Sequence, residues 1–366
     1  MKQKIKIIVS GGGTGGHIFP AISIANALKQ KHNDCDILFV GAEGKMEMEK
    51  VPSAGYKIVG LPIRGLQRNF SKENLKFFSR LFKSIRKAKT IVKDFKPDAV
   101  VGVGGYASGP LLHVAAKMGI PTLIQEQNSY AGITNKLLAK KAKKICVAYE
   151  GMERFFPADK ILLTGNPVRN DLLNIASKKQ EAMAHFQLNP EKKTILVVGG
   201  SLGARTINNS MLASLTAISD SGVQVIWQTG KFYIEKVREE LKNWDIPGLK
   251  VFDFLGKMDL AYAAADMVIS RAGAGTISEL CLVEKACILV PSPNVSEDHQ
   301  TKNAMALVTK NAAIMVKDSS AEQELVVTAL KLIHDADKLA ELSVNCKALA
   351  KPNAAADIAE QIIALT

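Results

Sequence analysis

The stretch Lys6-Ile7-Ile8-Val9-Ser10-Gly11-Gly12-Gly13-Thr14-Gly15-Gly16-His17 decides how this chain folds. Its β-branched run reads as a buried strand, and the glycines after it satisfy G-x-G-x-x-G before a helical pattern over Ala21–Lys31. Glycines at such a turn let the backbone approach a diphosphate, and the helix N-terminus stabilises the charge. The second half opens the same way, with Thr194–Val198 running into Gly199-Gly200-Ser201-Leu202-Gly203-Ala204. Two such openings predict an α/β chain built from two Rossmann-like domains.

Around these openings short apolar runs alternate with longer helical patterns, the signature of βαβ units and parallel sheets. The first half predicts strands at Lys4–Ser10, Asp36–Gly41, Tyr56–Gly60, Asp98–Val103, Thr122–Gln125, Lys144–Ala148 and Ile161–Thr164. The second predicts them at Thr194–Val198, Val223–Gln228, Lys250–Phe254, Met267–Ser270, Cys287–Val290 and Ala313–Val316. Asn166-Pro167 ends strand pairing, because proline lacks the N–H donor and restricts its predecessor. The expected domains are 1–164 and 165–352, with a last helix within 353–366 packing back on the first.

At 366 residues the chain suits about two domains, and 47% hydrophobic with 23% charged residues excludes a disordered chain. The longest charge-free stretches, Ile7–Leu28 and Ala99–Ala116, are broken by glycine and proline, so neither reads as a membrane span. The N-terminal apolar run is too short and wrongly flanked for a signal peptide. Cys35, Cys146, Cys281, Cys287 and Cys346 form no CxxC pair, which argues against a disulfide framework or zinc ribbon and for a cytosolic chain. Net charge is +13, and eleven bases against two acids fall between Arg64 and Lys96. Such a local concentration predicts one anionic docking surface.

Candidate chemistry gathers after the strands. His17 stands where a general base would reach a bound hydroxyl, although a packed or capping histidine fits the local pattern equally. Gly102-Val103-Gly104-Gly105-Tyr106-Ala107-Ser108-Gly109-Pro110 carries more glycine than a plain strand-to-helix turn needs, which favours phosphate contact. Gln125-Glu126-Gln127-Asn128 places polar side chains at the carboxyl end of a strand, where parallel sheets bind ligands. Two readings stand for Arg271-Ala272-Gly273-Ala274-Gly275-Thr276-Ile277-Ser278-Glu279. One is a capping box from Thr276 to Glu279; the other turns Glu279 toward the paired hydroxyls of a ligand. Asp298-His299-Gln300-Thr301-Lys302-Asn303 adds a further polar cluster.

Taken in order, the glycine loop through His17 with Pro20-Ala21, Gly104-Gly105-Tyr106-Ala107-Ser108-Gly109-Pro110, Glu126-Gln127-Asn128, Ala131-Gly132-Ile133-Thr134-Asn135, Gly165-Asn166-Pro167-Val168-Arg169, Gly199-Gly200-Ser201 and Asp298-His299-Gln300 resemble the MurG family of peptidoglycan N-acetylglucosaminyltransferases. The resemblance spans nearly the whole chain. It implies a GT-B fold, two Rossmann-like domains with parallel sheets facing across a cleft. The implied reaction moves N-acetylglucosamine from UDP-GlcNAc to the muramyl 4-hydroxyl of undecaprenyl-linked lipid I, giving the β(1→4) linkage of lipid II.

By motif match the resemblance puts Thr14, Gly15, Gly16, Asn128, Arg169, Ser201, Leu255, Ala274, Gly275, Thr276, Ile277, Ser278, Glu279 and Gln300 around the donor. Arg169 and Ser201 would meet the diphosphate, Leu255 the uracil through its backbone, Glu279 the ribose hydroxyls and Gln300 the sugar. His299 stands where the family often has another glutamine. Gly13, Gly104, Gly105, Tyr106, Ser108 and Asn135 would surround the acceptor diphosphate. His17 is the first candidate base and Glu126 the second. No metal or other cofactor is implied: Arg169 and helix N-termini can stabilise the departing diphosphate. The only D-x-D pairs, Asp34/Asp36 and Asp335/Asp337, do not sit at the carboxyl end of a strand.

The basic stretch then acquires a purpose. Leu75, Phe78, Leu81, Phe82, Ile85, Ala88 and Val92 recur at helical spacing among bases, and part of that side packs on the sheet. Phe77 and Phe78 among so many bases suit an interfacial helix. In it Leu75, Phe77, Phe78, Arg80, Phe82 and Lys83 would touch the anionic leaflet that holds the acceptor's tail. This implies a peripheral enzyme on the cytoplasmic face of the bacterial cell membrane, with cell-wall synthesis and division proteins as further partners. Two other classes compete. An NAD-dependent oxidoreductase would explain the first glycine loop but not the second-domain loops. A nucleic-acid-binding protein would explain the charge, but the basic segment lacks an RNA-binding motif and its aromatics lie at helical spacing, so no nucleic acid is expected.

Overall fold

Every expected strand forms in the computed structural model, which describes residues 4–65, 72–200 and 202–366, with small shifts at strand ends. The chain divides into two units, one of residues up to Val168 together with Lys351–Thr366, the other Arg169–Ala350. In the first unit the strands are β1 (Lys6–Ser10), β2 (Asp36–Ala42), β3 (Lys57–Leu61), β4 (Ala99–Gly102), β5 (Thr122–Glu126), β6 (Lys144–Val147) and β7 (Ile161–Leu163). They pair in parallel in the order β3-β2-β1-β4-β5-β6-β7. The helices between them are α1 (Gly15–Lys31), α2 (Glu47–Ser53), α3 (Lys72–Phe95), α4 (Ser108–Lys117) and α5 (Ile133–Ala139).

The second unit repeats the plan. Its strands are β8 (Thr194–Val198), β9 (Gln224–Gln228), β10 (Leu249–Phe252), β11 (Met267–Ser270), β12 (Ala286–Leu289) and β13 (Ile314–Met315), parallel in the order β10-β9-β8-β11-β12-β13. Its helices are α6 (Lys179–Phe186), α7 (Arg205–Ala213), α8 (Leu215–Ser221), α9 (Ile234–Glu240), α10 (Met258–Ala264), α11 (Ala274–Leu282), α12 (His299–Val308), α13 (Ala321–Ile333) and α14 (Ala336–Ala348).

Alternation along the central strands explains the layers. Ile8 of β1 enters one apolar cluster while Ile7 and Val9 enter the other, and Leu196 of β8 separates from Ile195 and Val197 in the same way. Each sheet is thereby buried on both faces, as parallel sheets require. Strand order reverses beside β1 and beside β8, so the loops after β1 and β4, and after β8 and β11, border the crevices where such sheets bind ligands.

Three boundaries differ from expectation. Helix α1 begins at Gly15 rather than Ala21, since the Thr14 carbonyl already accepts the N–H of His17 (3.1 Å) and Ile18 (3.2 Å). Pro20, so near the start, removes only one ladder bond. The first unit runs to Val168 rather than Thr164 because Gly165 and Asn166 belong to its packing. Gly165, at φ +86°, lies so close to Lys351 that a Cβ would overlap it. Asn166 accepts from Gln125 Nε2 (2.9 Å) and donates to the Gln127 carbonyl (3.0 Å). For the same reason the return to the first unit starts at Lys351, ahead of α15 (Ala354–Ile363). Helix α15 buries Ile358, Ala359 and Ile362 against the side of α1 formed by Ile18, Ala21, Ile24 and Ala25. Among the described residues no helix is long and apolar enough to cross a membrane.

Candidate active site

In the first unit His17 lies in the first turn of α1, with Nδ1 3.1 Å from the Gly12 carbonyl oxygen and 3.5 Å from Thr14 Oγ1. A carbonyl oxygen only accepts, so Nδ1 is the donor in this contact. Thr14 is the N-cap, which leaves the Gly15 and Gly16 N–H groups at the positive end of α1.

The second glycine loop closes on the first. A Cβ on Gly104 would stand 2.7 Å from His17 Nε2, and one on Gly105 would overlap the Gly12 carbonyl. Both have positive φ, +102° and +88°. These glycines are needed for loop-to-loop contact, a reason distinct from the phosphate contact expected from their number. Two more residues of the expected acceptor set have partners within the fold. Gly13 already donates its N–H to Glu47 Oε2 (2.9 Å), and the fully buried Ser108 bonds the carbonyls of Gly104 (2.8 Å) and Ser10 (3.1 Å). Tyr106 stays half exposed on the loop.

Glu126, the second candidate base, is surrounded by hydrogen-bond donors. Its buried carboxylate accepts from Asn128 N (3.0 Å) and Nδ2 (3.3 Å) on one oxygen, and from Gly132 N (3.0 Å) and Asn135 Nδ2 (2.8 Å) on the other. These bonds organise the 127–132 turn and orient Asn128. Asn135 is itself buried and turned to Glu126.

In the second unit the capping-box reading fails. Helix α11 starts at Ala274 with Gly273 as N-cap, so Thr276 is inside the helix. The Glu279 carboxylate instead accepts from the Tyr262 hydroxyl on α10 (3.1 Å) and stands 3.5 Å from Arg169 Nε. Burial pushes the Glu279 carboxyl above the usual range, against the opposing pull of Arg169 and Tyr262. Burial, followed by the Glu279 charge, pushes the Tyr262 phenol well up, so the hydroxyl keeps its proton and donates. The N–H groups of Ala274, Gly275 and Thr276 open α11, an arrangement that suits an anion. Ile277 is buried in the core, and Ser278 Oγ bonds back to the Ala274 carbonyl (3.0 Å).

Leu255 is buried, and its N–H donates to Gln228 Oε1 (2.8 Å), while Gln228 Nε2 donates to the Gly200 carbonyl (3.0 Å). One side chain thus ties the loop after β8 to the loop after β10. Gln300 Oε1 accepts the Ser292 N–H (2.9 Å). Ser201 lies outside the described residues. Sequence reasoning missed Glu47, Gln228 and Tyr262. Gln228 had a signal, a polar residue closing an apolar strand before Thr229-Gly230; Tyr262, in an alanine-rich run, had none. Among the described residues no group of His, Cys, Asp or Glu could hold a metal ion.

Helix α3 divides its aromatic residues. Phe77, Leu81 and Ile85 pack on the core beside Ala88 and Val92, whereas Phe78 (70% exposed) and Phe82 (62%) face outward one turn apart. The outward pair is therefore Phe78 with Phe82, and Phe77 belongs to the packed side. Lys83 and Arg86 are exposed and Arg80 is half-buried. The Leu75 side chain lies outside the described residues.

Residues 7–147 match the glycosyltransferase family 28 N-terminal domain, and residues 194–362 match the glycosyltransferase family 28 C-terminal domain. The chain is 62% identical over 361 residues to the UDP-N-acetylglucosamine–N-acetylmuramyl-(pentapeptide) pyrophosphoryl-undecaprenol N-acetylglucosamine transferase of Parabacteroides distasonis, covering 99% of this chain and 98% of that protein. It is 60% identical over 363 residues to the Bacteroides fragilis protein of the same name, covering 99% and 96%. Among solved structures, MurG of Acinetobacter baumannii matches with TM-score 0.77 at 29% identity, over 98% of this chain and 99% of that one. The UDP-GlcNAc 2-epimerase of Neisseria meningitidis, solved with UDP-GlcNAc, shares the fold at TM-score 0.69 and 17% identity, over 98% and 100%.

Proposed function

The chain belongs to the MurG family of GT-B glycosyltransferases, and from that membership we propose how its residues serve the family's reaction. The reaction transfers N-acetylglucosamine from UDP-GlcNAc to lipid I, forming lipid II. The observation that carries the donor reading is the Glu279 carboxylate, held by Tyr262 and Arg169 along the helix whose uncapped start suits a phosphate. Glu279 accepts the two ribose hydroxyls, Arg169 and the α11 N-terminus balance the diphosphate, and the Gln300 amide meets the sugar. Gln228 sets the backbone of Leu255 for the uracil.

His17 is the base. Its Nε2 takes the proton of the muramyl 4-hydroxyl as that oxygen attacks the anomeric carbon, and the bond to UDP breaks with inversion. The reaction acts on a lipid-linked substrate, and the outward Phe78 and Phe82 among bases support docking of α3 on an anionic membrane face. The test is UDP release from UDP-GlcNAc with a short-chain lipid I analogue. Turnover is expected with wild type and lost in His17→Ala with UDP binding retained. A loss confined to acceptor KM would make His17 a binding residue instead.

A further inference from the structure

We propose that Glu47 is a positioning residue for His17, acting through the single peptide unit that joins Gly12 to Gly13. That unit is hydrogen-bonded at both ends. Its N–H, on Gly13, donates to Glu47 Oε2 at 2.9 Å, and its carbonyl, on Gly12, accepts from His17 Nδ1 at 3.1 Å. Glu47 is completely buried, and its other oxygen accepts the Ala42 N–H at 2.9 Å. Two oxygens that each face an N–H suit the ionised carboxylate, since a proton on either would meet a donor. The loop is shaped around this side chain. A Cβ on Gly12 would overlap the Glu47 carboxylate, and one on Gly41 would stand 2.5 Å from its Cγ. These glycines leave the channel through which Glu47 reaches the loop.

A carboxylate on the N–H of an amide shifts electron density toward the carbonyl oxygen, because hydrogen bonds in a chain polarise one another. The Gly12 oxygen becomes a stronger acceptor for Nδ1–H. The ring is thereby held in the tautomer protonated on Nδ1, and the imidazolium formed in the reaction is stabilised. This is the carboxylate–histidine arrangement of many catalytic and metal sites with a peptide group inserted between the partners. In the step itself the 4-hydroxyl O–H bond breaks and an Nε2–H bond forms. The oxygen's electron pair makes the new glycosidic bond, and UDP leaves with the pair of the broken one. The Nδ1 proton stays on nitrogen, and Glu47 stays ionised throughout. A buried carboxylate there also gives the loop a reason for its glycines other than a dinucleotide.

The proposal rests on reading His17 as the base, and the experiment separates the two. Nitrogen-15 NMR of the full chain, with His17 assigned by its loss in His17→Asn, is expected to show the Nδ1–H tautomer in wild type. In Glu47→Gln, whose side chain must turn an NH₂ toward one of the two N–H donors, a mixture of tautomers is expected. On a soluble lipid I analogue, Glu47→Gln is expected to lower kcat by ~10–100-fold, the range for such outer partners, with donor KM unchanged. In a His17→Ala background it should cost nothing further. An Nε2–H tautomer in wild type overturns the proposal, and that arm holds even if Glu47→Gln does not fold. An undiminished loss in the His17→Ala background also overturns it, since Glu47 would then serve the fold alone. If His17→Ala keeps its kcat, the base reading fails, while the tautomer still decides whether Glu47 orients the ring.

Discussion

At the residue scale, the chemistry of Glu279 depends on what reaches it from elsewhere in the chain. Removing the carboxylate in Glu279→Ala should raise the donor KM, because charge-assisted hydrogen bonds of ~1.5–3 kcal/mol each are lost. Tyr262→Phe keeps the ring but removes the donor, and a smaller rise in donor KM, about tenfold or less, is expected from steady-state kinetics. The sign of the pH effect follows from burial. In the proposed donor role Glu279 must be ionised to accept two hydroxyls, and burial shifts its carboxyl upward. UDP affinity should therefore fall, as pH is lowered, at a higher pH than an ordinary carboxylate would set, and titration calorimetry on Glu279→Gln should show a flat profile in that window. Lys285 offers an independent check in the same unit. Burial brings its amine down to about 8 while it donates to the Ala265 carbonyl (2.7 Å). Between pH 8 and the unfolded value of 10.5 the unfolded chain binds more protons, so stability rises with pH there. Urea unfolding should show wild type gaining on Lys285→Met across that window.

At the element scale, α3 has two jobs on two sides. Its inner side completes the core through Ala88, Ile91 and Val92; its outer side carries Phe78 and Phe82 among bases. The two contributions to membrane binding should separate in a vesicle flotation assay. Arg80→Glu, Lys83→Glu and Arg86→Glu together should weaken binding to anionic vesicles, and wild-type binding should fall with salt, because exposed charges are screened over ~8–10 Å. Phe78→Ser or Phe82→Ser should weaken binding even at high salt. Phe77→Ser should instead lower thermal stability, since that ring packs inward. Activity on a water-soluble acceptor should survive the charge reversals. Unchanged flotation after the reversals would reduce α3 to a packing helix.

At the scale of the whole molecule, the chain closes on itself by sequence-distant packing. Ile358 and Ile362 of α15 are fully buried against α1, the helix that carries His17. Ile358→Ala should cost ~2–5 kcal/mol in unfolding of the first unit. Deleting 351–366 should abolish that unit's cooperative transition while the second unit keeps UDP binding; equal loss of both transitions would show that the units do not fold separately. Among rival classes, nicotinamide dinucleotide should not bind, because the Gly13 N–H that a diphosphate would use is held by a buried carboxylate.

The sequence alone determined the strands, the two sheets and the glycine turns that follow their central strands. Strand runs and glycine turns are local patterns, set by side-chain period and backbone freedom over a few residues. It also marked His17, Arg169 and Glu279. It left open whether Glu279 caps its own helix or faces outward, and whether Glu126 or His17 is the base. The partners that bear on those questions lie far along the chain: Tyr262 for Glu279, Glu47 and the Gly12 carbonyl for His17, and the Asn128–Asn135 donors for Glu126. The same holds for Phe77 and Phe78, neighbours in sequence whose fates differ because one meets the core and the other does not. A hydrogen-bond partner or a packing neighbour across tens of residues leaves no periodic trace in the chain. Only the assembled sheet, which brings the loop after β1 against α2 and the second glycine loop, makes that choice.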